Sequence, residues 1–240
     1  MKTSYGGKMT ATSLGYVRDE RRAIVRPSSP PLTRTDRHGA ALQRVMDVAI
    51  SFIALVVFAP LMVLIALAIR IQGGGTALFG QQRIGKGGHR FVCFKFRSMV
   101  PDAEARLALY LAAHPEARAE WDADHKLRSD PRITGLGQFL RKSSLDELPQ
   151  LLNILRGDMS LVGPRPIVDA EIVRYGRYFG HYCQVKPGLT GLWQVMGRND
   201  VSYRRRVAID VTFVRVRSTR MYLQILARTV PAVLSKTGVY

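Results

Sequence analysis

The sequence predicts a helix-rich α/β chain with a small sheet, seated on a membrane by one N-terminal apolar helix and by amphipathic interfacial helices. Three observations carry this. Val48 to Ile69 is 22 residues without a charge, about 33 Å as a continuous helix and so long enough to cross a bilayer. Arg90 to Arg97, RFVCFKFR, alternates with the period of a strand. Elsewhere, apolar residues recur at i, i+3, i+4 and i+7, the spacing of one buried helical stripe.

Residues 1–40 form a Ser, Thr, Pro, Gly and Arg-rich arm without a sustained apolar period, expected to lack fixed structure. Its arginines, among them Arg18, Arg21, Arg22 and Arg26, suit anionic headgroups, and a plain solubilising tail fits equally. Residues 41–72 hold the apolar helix. Some 47 residues precede its core, too many for a signal-peptide n-region. Pro60 near its middle removes one helical hydrogen bond and predicts a kink. Basic residues flank both ends, Arg34, Arg37 and Arg44 before it and Arg70, Arg83 and Lys86 after it. The positive-inside rule then puts both ends in the cytoplasm. A re-entrant hairpin satisfies that condition, whereas a kinked span does not.

Residues 73–240 form the remaining domain. Gly80, Gly85 and Lys86 match the start of a P-loop, but Gly87 stands where the Mg²⁺-ligating hydroxyl belongs and a strand follows in place of a helix, so no P-loop is expected. That strand puts Val92, Phe94 and Phe96 on one face and Cys93, Lys95 and Arg97 on the other. Lys95 and Arg97 are thus candidates to grip a phosphate, or simply solvated charges. Pro101 to Leu127 reads as helices broken at Pro115. Within it, Asp122 and Asp124 form a D-x-D pattern that could hold a metal but reads better as a solvated helix face. His114 and His125 are expected to face solvent.

Arg141 to Pro166, RKSSLDELPQLLNILRGDMSLVGPRP, is the most informative stretch. Leu145, Leu148, Leu151, Leu152 and Leu155 predict an amphipathic helix with Ser144 as N-cap and Glu147 completing an S-x-x-E capping box. Asp146 then lies in the first turn, where a carboxylate or a bound phosphate is favoured. The pair reads either as a cap with a surface charge or as a site for phosphate chemistry. Gly157, Gly163, Pro164 and Pro166 fix tight backbone around Arg165, as an anion-binding loop requires. Lys186 to Arg198, KPGLTGLWQVMGR, is Gly-rich again, with Trp193 free to pack or stack. Arg204, Arg205 and Arg206, followed by apolar Met221 to Leu234 interrupted by Pro231, predict either a membrane-surface segment or a tail helix packed on the core.

The net charge of +18 over 240 residues and a pI near 10.6 call for an anionic partner: nucleic acid, membrane surface or phosphorylated substrate. No recognisable nucleic-acid-reading motif is present, so nucleic acid is not the expected partner. Cys93 and Cys183 form no C-x-x-C pair and are expected to be reduced thiols.

On four long motifs in order, RVMDVAISFIALVVFAP, GQQRIGKGGHRFVCFKFRSM, DPRITGLGQFLRKSSLDELPQLLNILRGDMSLVGPRP and KPGLTGLWQVMGRND, the chain closely resembles the bacterial sugar transferases, monotopic polyprenyl-phosphate glycosylphosphotransferases. The likeness runs from about Gln43 to the C-terminus. It implies transfer of a sugar 1-phosphate, galactose or glucose by its subgroup, from a UDP-sugar to undecaprenyl phosphate, releasing UMP and starting an exopolysaccharide. It implies a bacterial inner-membrane location with the catalytic domain facing the cytoplasm, Mg²⁺ as cofactor, and a re-entrant helix broken at Pro60. Self-association is left open. The resemblance makes Asp146 the nucleophile that becomes an aspartyl phosphosugar and a candidate Mg²⁺ ligand. Glu147 assists the lipid phosphate or the metal. Lys95, Arg97, Arg141, Arg165 and Arg198 bind the donor, and Arg44 with Pro60 anchors the membrane element.

Three positions depart from the pattern of related sequences: Gln43, where a basic residue is common, Arg217 in place of a tryptophan, and Tyr222 in place of an aspartate. They put headgroup anchoring and C-terminal packing in question and leave the catalytic motifs intact. Two other readings are an ordinary metal-dependent glycosyltransferase using Asp122 and Asp124, and a membrane-tethered basic module binding anionic lipid or nucleic acid.

Overall fold

A computed structural model describes residues 34–124, 127, 129–196 and 201–234. Most of the expected N-terminal arm therefore falls outside the described residues, as do His125 and Arg198. The described chain is helix-rich with two small sheets, as its patterning predicts. Helix α1 spans Arg34–Gly73. Strands β1 (Leu78–Ile84) and β2 (Arg90–Phe96) pair antiparallel across a turn at Lys86–Gly88. Gly87, at φ 71°, supplies the left-handed step of this turn. The near-P-loop residues are therefore hairpin residues.

Helices α2 (Ala103–Ala113) and α3 (Pro115–Asp124) break at Pro115 as expected, and α4 covers Gly135–Ser143. After α5 (Gln150–Arg156), strand β3 (Ser160–Val162) pairs parallel with β4 (Gly188–Thr190). Between them lie short helices α6 (Ile172–Tyr175) and α7 (Phe179–Tyr182). Helices α8 (Leu192–Met196), α9 (Tyr203–Val216) and α10 (Thr219–Leu234) complete the described chain.

The helix predicted over Leu145 to Leu155 is corrected. Ser144 adopts φ 59° and ends α4 in a left-handed step, so its side chain does not cap the next helix. Leu145–Glu147 is a single 3₁₀ turn, and α5 starts only after Pro149. Proline cannot donate the hydrogen bond that a helix running through this position needs, and it sits comfortably at a helix start. The apolar spacing was real: Leu151 and Ile154 are buried in the main core, and Leu145 packs on a second cluster.

Pro60 does not end α1, which is helical from Arg34 to Gly73. A single proline deletes the bond to the Val56 carbonyl and leaves the rest of the ladder. Both ends of the apolar segment pack on the same domain. At one end, Arg44 donates to the carbonyls of Ile154 (2.6 Å) and Leu155 (2.8 Å), closing the C-terminal turn of α5. Asp47, 3% exposed, accepts from Ser160 Oγ (3.0 Å), the Leu161 amide (2.8 Å) and Tyr222 Oη (2.7 Å). At the other end, Ile65 and Ile69 are buried against Phe96 and Leu140. Between them Phe52, Ile53, Val56, Val57, Leu61, Val63 and Leu64 are exposed. The segment Gly39–Gly73 is long and apolar enough to cross a membrane.

The doubt raised by Tyr222 resolves here, because its ring is buried and its hydroxyl ties α10 to α1. Helix α10 thus packs its Tyr222 and Ile225 face on the core, with Leu223 exposed. Arg217 donates to the Val214 carbonyl (3.2 Å) at the end of α9. Tyr222→Phe removes one of three donors from a buried carboxylate. Thermal unfolding in detergent is expected to show a loss of about 2 kcal/mol, and an unchanged midpoint would disprove the tie.

Candidate active site

Strand β2 is fastened to α5 by one side chain. Asn153, fully buried, accepts from the Phe94 amide (3.0 Å) and donates to the Val92 carbonyl (2.7 Å). Its amide thereby imitates the next strand of the ladder, with the donor and acceptor that a backbone would supply. That contact fixes Lys95 opposite the 3₁₀ turn carrying Asp146 and Glu147. Lys95 Nζ lies 2.6 Å from Glu147 Oε1 and 3.8 Å from Asp146 Oδ2. Asn153→Ala leaves two strand groups without partners. An expected loss of about 2–3 kcal/mol in stability should accompany a lower turnover rate, measurable by unfolding and product release.

The two neighbouring carboxyls are pushed in opposite directions. Burial raises Asp146 to about 6, with the negative Glu147 adding to it and Lys95 and Arg141 only partly countering it. Burial also opposes ionisation of Glu147, but Lys95, Arg165 and a hydrogen bond from Gln150 outweigh it and hold its carboxyl below the usual range. Two adjacent carboxyls with separated titrations are a common arrangement where each has its own chemical role.

Beside Asp146 runs a narrow cleft lined by Glu147, Arg83, Cys93, Lys95, Gln150, Arg165 and Gln194. It has room for about one water-sized group, so a phosphoryl oxygen fits into it and a sugar ring does not. Cys93 and Lys95 share this face, as the strand alternation predicts. Arg83 donates to the Pro166 carbonyl (2.8 Å) and to Gln81 (2.6 Å), while its Nε and the Oε1 of Gln194 are buried without a hydrogen-bond partner. Burial and the adjacent Arg165 cation lower the Arg83 pKa. A phosphate oxygen and a hydroxyl or imide N–H are what these orphaned groups call for.

Glycines bring the cleft walls together. A Cβ on Gly188 would meet the Gly163 amide at 2.1 Å, and one on Gly191 would meet the Gly163 carbonyl at 2.3 Å. The two Gly-rich motifs therefore serve close backbone approach, which sets Arg165 across from Gln194.

The other expected site residues are distributed as follows. Arg141 stands behind the dyad, donating to Ser98 Oγ (2.8 Å), with burial lowering its pKa against the pull of Asp146 and Asp130. Arg97 lies just past the end of β2, and its guanidinium donates to the Gly74 carbonyl at the end of α1, away from the cleft. Arg44 is engaged with α5 as described, and Pro60 lies in the exposed middle of α1. Asp122 is on an exposed helix face, paired with Arg118 four residues earlier at 3.3 Å, the solvated-face reading. His114 stacks on Tyr110. Trp193 is buried, with the Arg206 guanidinium 5.0 Å from its ring. Both cysteines are free and buried, and burial pushes the Cys183 thiol up to about 11. Sequence spacing missed Arg83, Gln150 and Gln194. Only tertiary packing joins them, although QQR and WQV lie inside the quoted motifs.

A family model described as "Bacterial sugar transferase" matches residues 38–236. The chain belongs to the bacterial sugar transferase family. Among relatives of this transferase, the Undecaprenyl-phosphate galactose phosphotransferase of Salmonella typhimurium is 48% identical over 85% of this chain and 43% of its own length. The Exopolysaccharide production protein ExoY of Rhizobium meliloti is 46% identical over 84% of this chain and 89% of its own. The UDP-glucose:undecaprenyl-phosphate glucose-1-phosphate transferase of Caulobacter vibrioides is 39% identical over 82% and 72%. The transferase thus spans under half the length of the Salmonella relative and most of the length of ExoY.

Proposed function

We propose that this chain is a membrane-bound phosphoglycosyltransferase that moves a hexose 1-phosphate, galactose or glucose, from a UDP-sugar to undecaprenyl phosphate, initiating an exopolysaccharide. The observation that carries the reading is the dyad itself: Asp146 raised to about 6 and Glu147 lowered, both facing the Lys95 ammonium beside a cation-lined cleft.

In the first step an Asp146 carboxylate oxygen attacks the sugar-bearing phosphorus in line. The P–O bond to the uridylyl phosphate breaks, its electron pair leaves with UMP, and an acyl phosphosugar forms. In the second step an oxygen of undecaprenyl phosphate attacks that phosphorus, and the bond to Asp146 breaks and restores the carboxylate. Covalent catalysis divides a difficult displacement between two anions into two in-line steps. Arg83, Lys95 and Arg165 place positive charge around the phosphoryl oxygens, where charge stabilisation matters most. Glu147, kept ionised, holds Lys95 in position and is placed to orient the incoming lipid phosphate.

Asp146 and Glu147 offer two carboxylates, and no larger cluster of Asp, Glu, His or Cys is found among the described residues. That suits Mg²⁺, which takes one or two carboxylates and completes its shell with water and substrate phosphate. Bound there, it would offset the negative charge of the donor diphosphate.

Helix α1 is read as re-entrant. A spanning helix carries one end away from the domain, whereas here residues at both ends of the apolar segment, Met46 and Leu55 at one and Ile65 and Ile69 at the other, pack on it. The cations at both flanks support a cytoplasmic position for the catalytic domain. The test is UMP release by nanodisc-held protein from a panel of UDP-hexoses with Mg²⁺, with mass spectrometry of the peptide holding Asp146. A hexose-phosphate adduct on Asp146 that undecaprenyl phosphate removes is the expected result. UMP release without any adduct would require direct transfer and overturn the covalent route.

A further inference from the structure

An apolar groove lies between α1 and the start of β1, and its Ala66 and Ala77 pack on the same cluster as Leu145 and Leu148 of the dyad segment. Val63, Ala66 and Leu67 form one wall and Ala77 and Leu78 the other, with Arg70 at the rim, enclosing about 440 Å³. That is the volume of a small-ligand cleft. We propose that it receives the isoprenoid chain nearest the phosphate of the lipid acceptor, an inference that rests on the transferase reading above.

Its position favours that occupant. The same two turns of α1 that line the groove with Ala66 and Leu67 bury Ile65 and Ile69 on their other face. There they pack against Phe96 and Leu140, with Leu145 and Leu148 alongside. Leu145 and Leu148 bracket Asp146 and Glu147, and Phe96 follows Lys95. Groove and dyad are therefore joined through one apolar cluster, and Leu78 of the groove pairs with Phe96, the residue after Lys95. A chain lying in the groove keeps its phosphate within reach of the dyad around the C-terminal end of α1.

The charge at that end matches. Arg70 is exposed at the groove rim. Arg97 donates to the Gly74 carbonyl and passes beside Gly73 and Gly75, between Arg70 and Thr76 in sequence. Two guanidiniums thus stand where an apolar wall ends, the pattern a phosphate with an apolar tail requires. Arg97, absent from the donor cleft, gains a role on the acceptor side. An ordinary phospholipid shares this chemistry, but it has no need to lie against the cluster that carries the dyad segment.

The test separates the two half-reactions in nanodiscs. Leu67→Trp fills the groove and is expected to raise the KM for undecaprenyl phosphate about tenfold, equivalent to about 1.4 kcal/mol. The burst of UMP released from UDP-sugar without acceptor should keep its rate and amplitude. Arg70→Gln should raise the same KM and likewise spare the burst, which guards against a filled groove that merely misfolds. An unchanged acceptor KM in Leu67→Trp would overturn the proposal. So would a raised KM that tracks loss of vesicle flotation, since the groove would then hold bulk lipid. A wild type that releases no UMP even with undecaprenyl phosphate present would refute the transferase reading itself, a result distinct from failure of the groove.

Discussion

Asp146→Asn is expected to abolish turnover, by about 10⁴-fold or more as for loss of other enzymic nucleophiles, and at the same time to stabilise the fold. The wild-type carboxyl titrates at about 6 when folded, above its ordinary value of 3.8. Between pH 4 and 6 the folded state therefore binds more protons than the unfolded state, and stability falls as pH rises through that window. Well above pH 6 the penalty is complete, about 3 kcal/mol. Asparagine carries no charge to desolvate, so the variant should unfold at a higher temperature than wild type at pH 8, with the gap closing toward pH 4. The wild-type burst of UMP should weaken about tenfold per pH unit below 6, where Asp146 is protonated. A variant that keeps its burst, or one less stable than wild type at pH 8, would contradict this account of the dyad.

Lys95→Gln is expected to have the second largest effect. The ammonium is the nearest cation to both carboxyls. Without it Glu147 loses the main influence that holds its carboxyl low. The stability that Glu147 contributes above its ordinary pKa, lost as pH falls, should shrink by about 2 kcal/mol, the part-exposed pair being worth less than a buried one. Asp146 loses the larger of its two counter-cations, so the acidic limb of the pH–rate profile should move upward from about 6. Turnover at pH 7 should fall by about 10²–10³-fold. Stopped-flow UMP release across pH measures both, and an unmoved acidic limb would mean that Lys95 does not govern Asp146.

Much of this site was legible before any fold was known. The alternation of RFVCFKFR put Lys95 beside Cys93, and the pair Asp146-Glu147 beside Arg141 marked phosphate chemistry. What failed did so for physical reasons. Ser144 followed three residues later by Glu147 imitates a capping box, but the left-handed backbone at Ser144 is a property of the chain reversal after α4, which the pattern does not encode. Arg97 was grouped with Lys95 by strand parity, yet β2 stops at Phe96 and the next side chain is free to turn toward α1. Arg83, Gln150 and Gln194 come from three separate elements. Their convergence depends on Asn153 closing β2 onto α5 and on Gly163 and Gly188 closing β3 onto β4, contacts too distant in sequence for spacing to reveal.

The bond between Asp47 and Tyr222 joins residues 175 positions apart, and the core beneath it draws on α1, α5, β3, α9 and α10 together. On the ribosome the apolar helix emerges well before its last partner, which is made some 175 residues later. Domains that fold in N-to-C order can mature as they are made, but this one cannot close until α10 exists. The apolar helix must therefore wait as an incomplete half of the core. A nascent chain cut short before residue 219 should be inserted yet unfolded, and open to quality-control proteases.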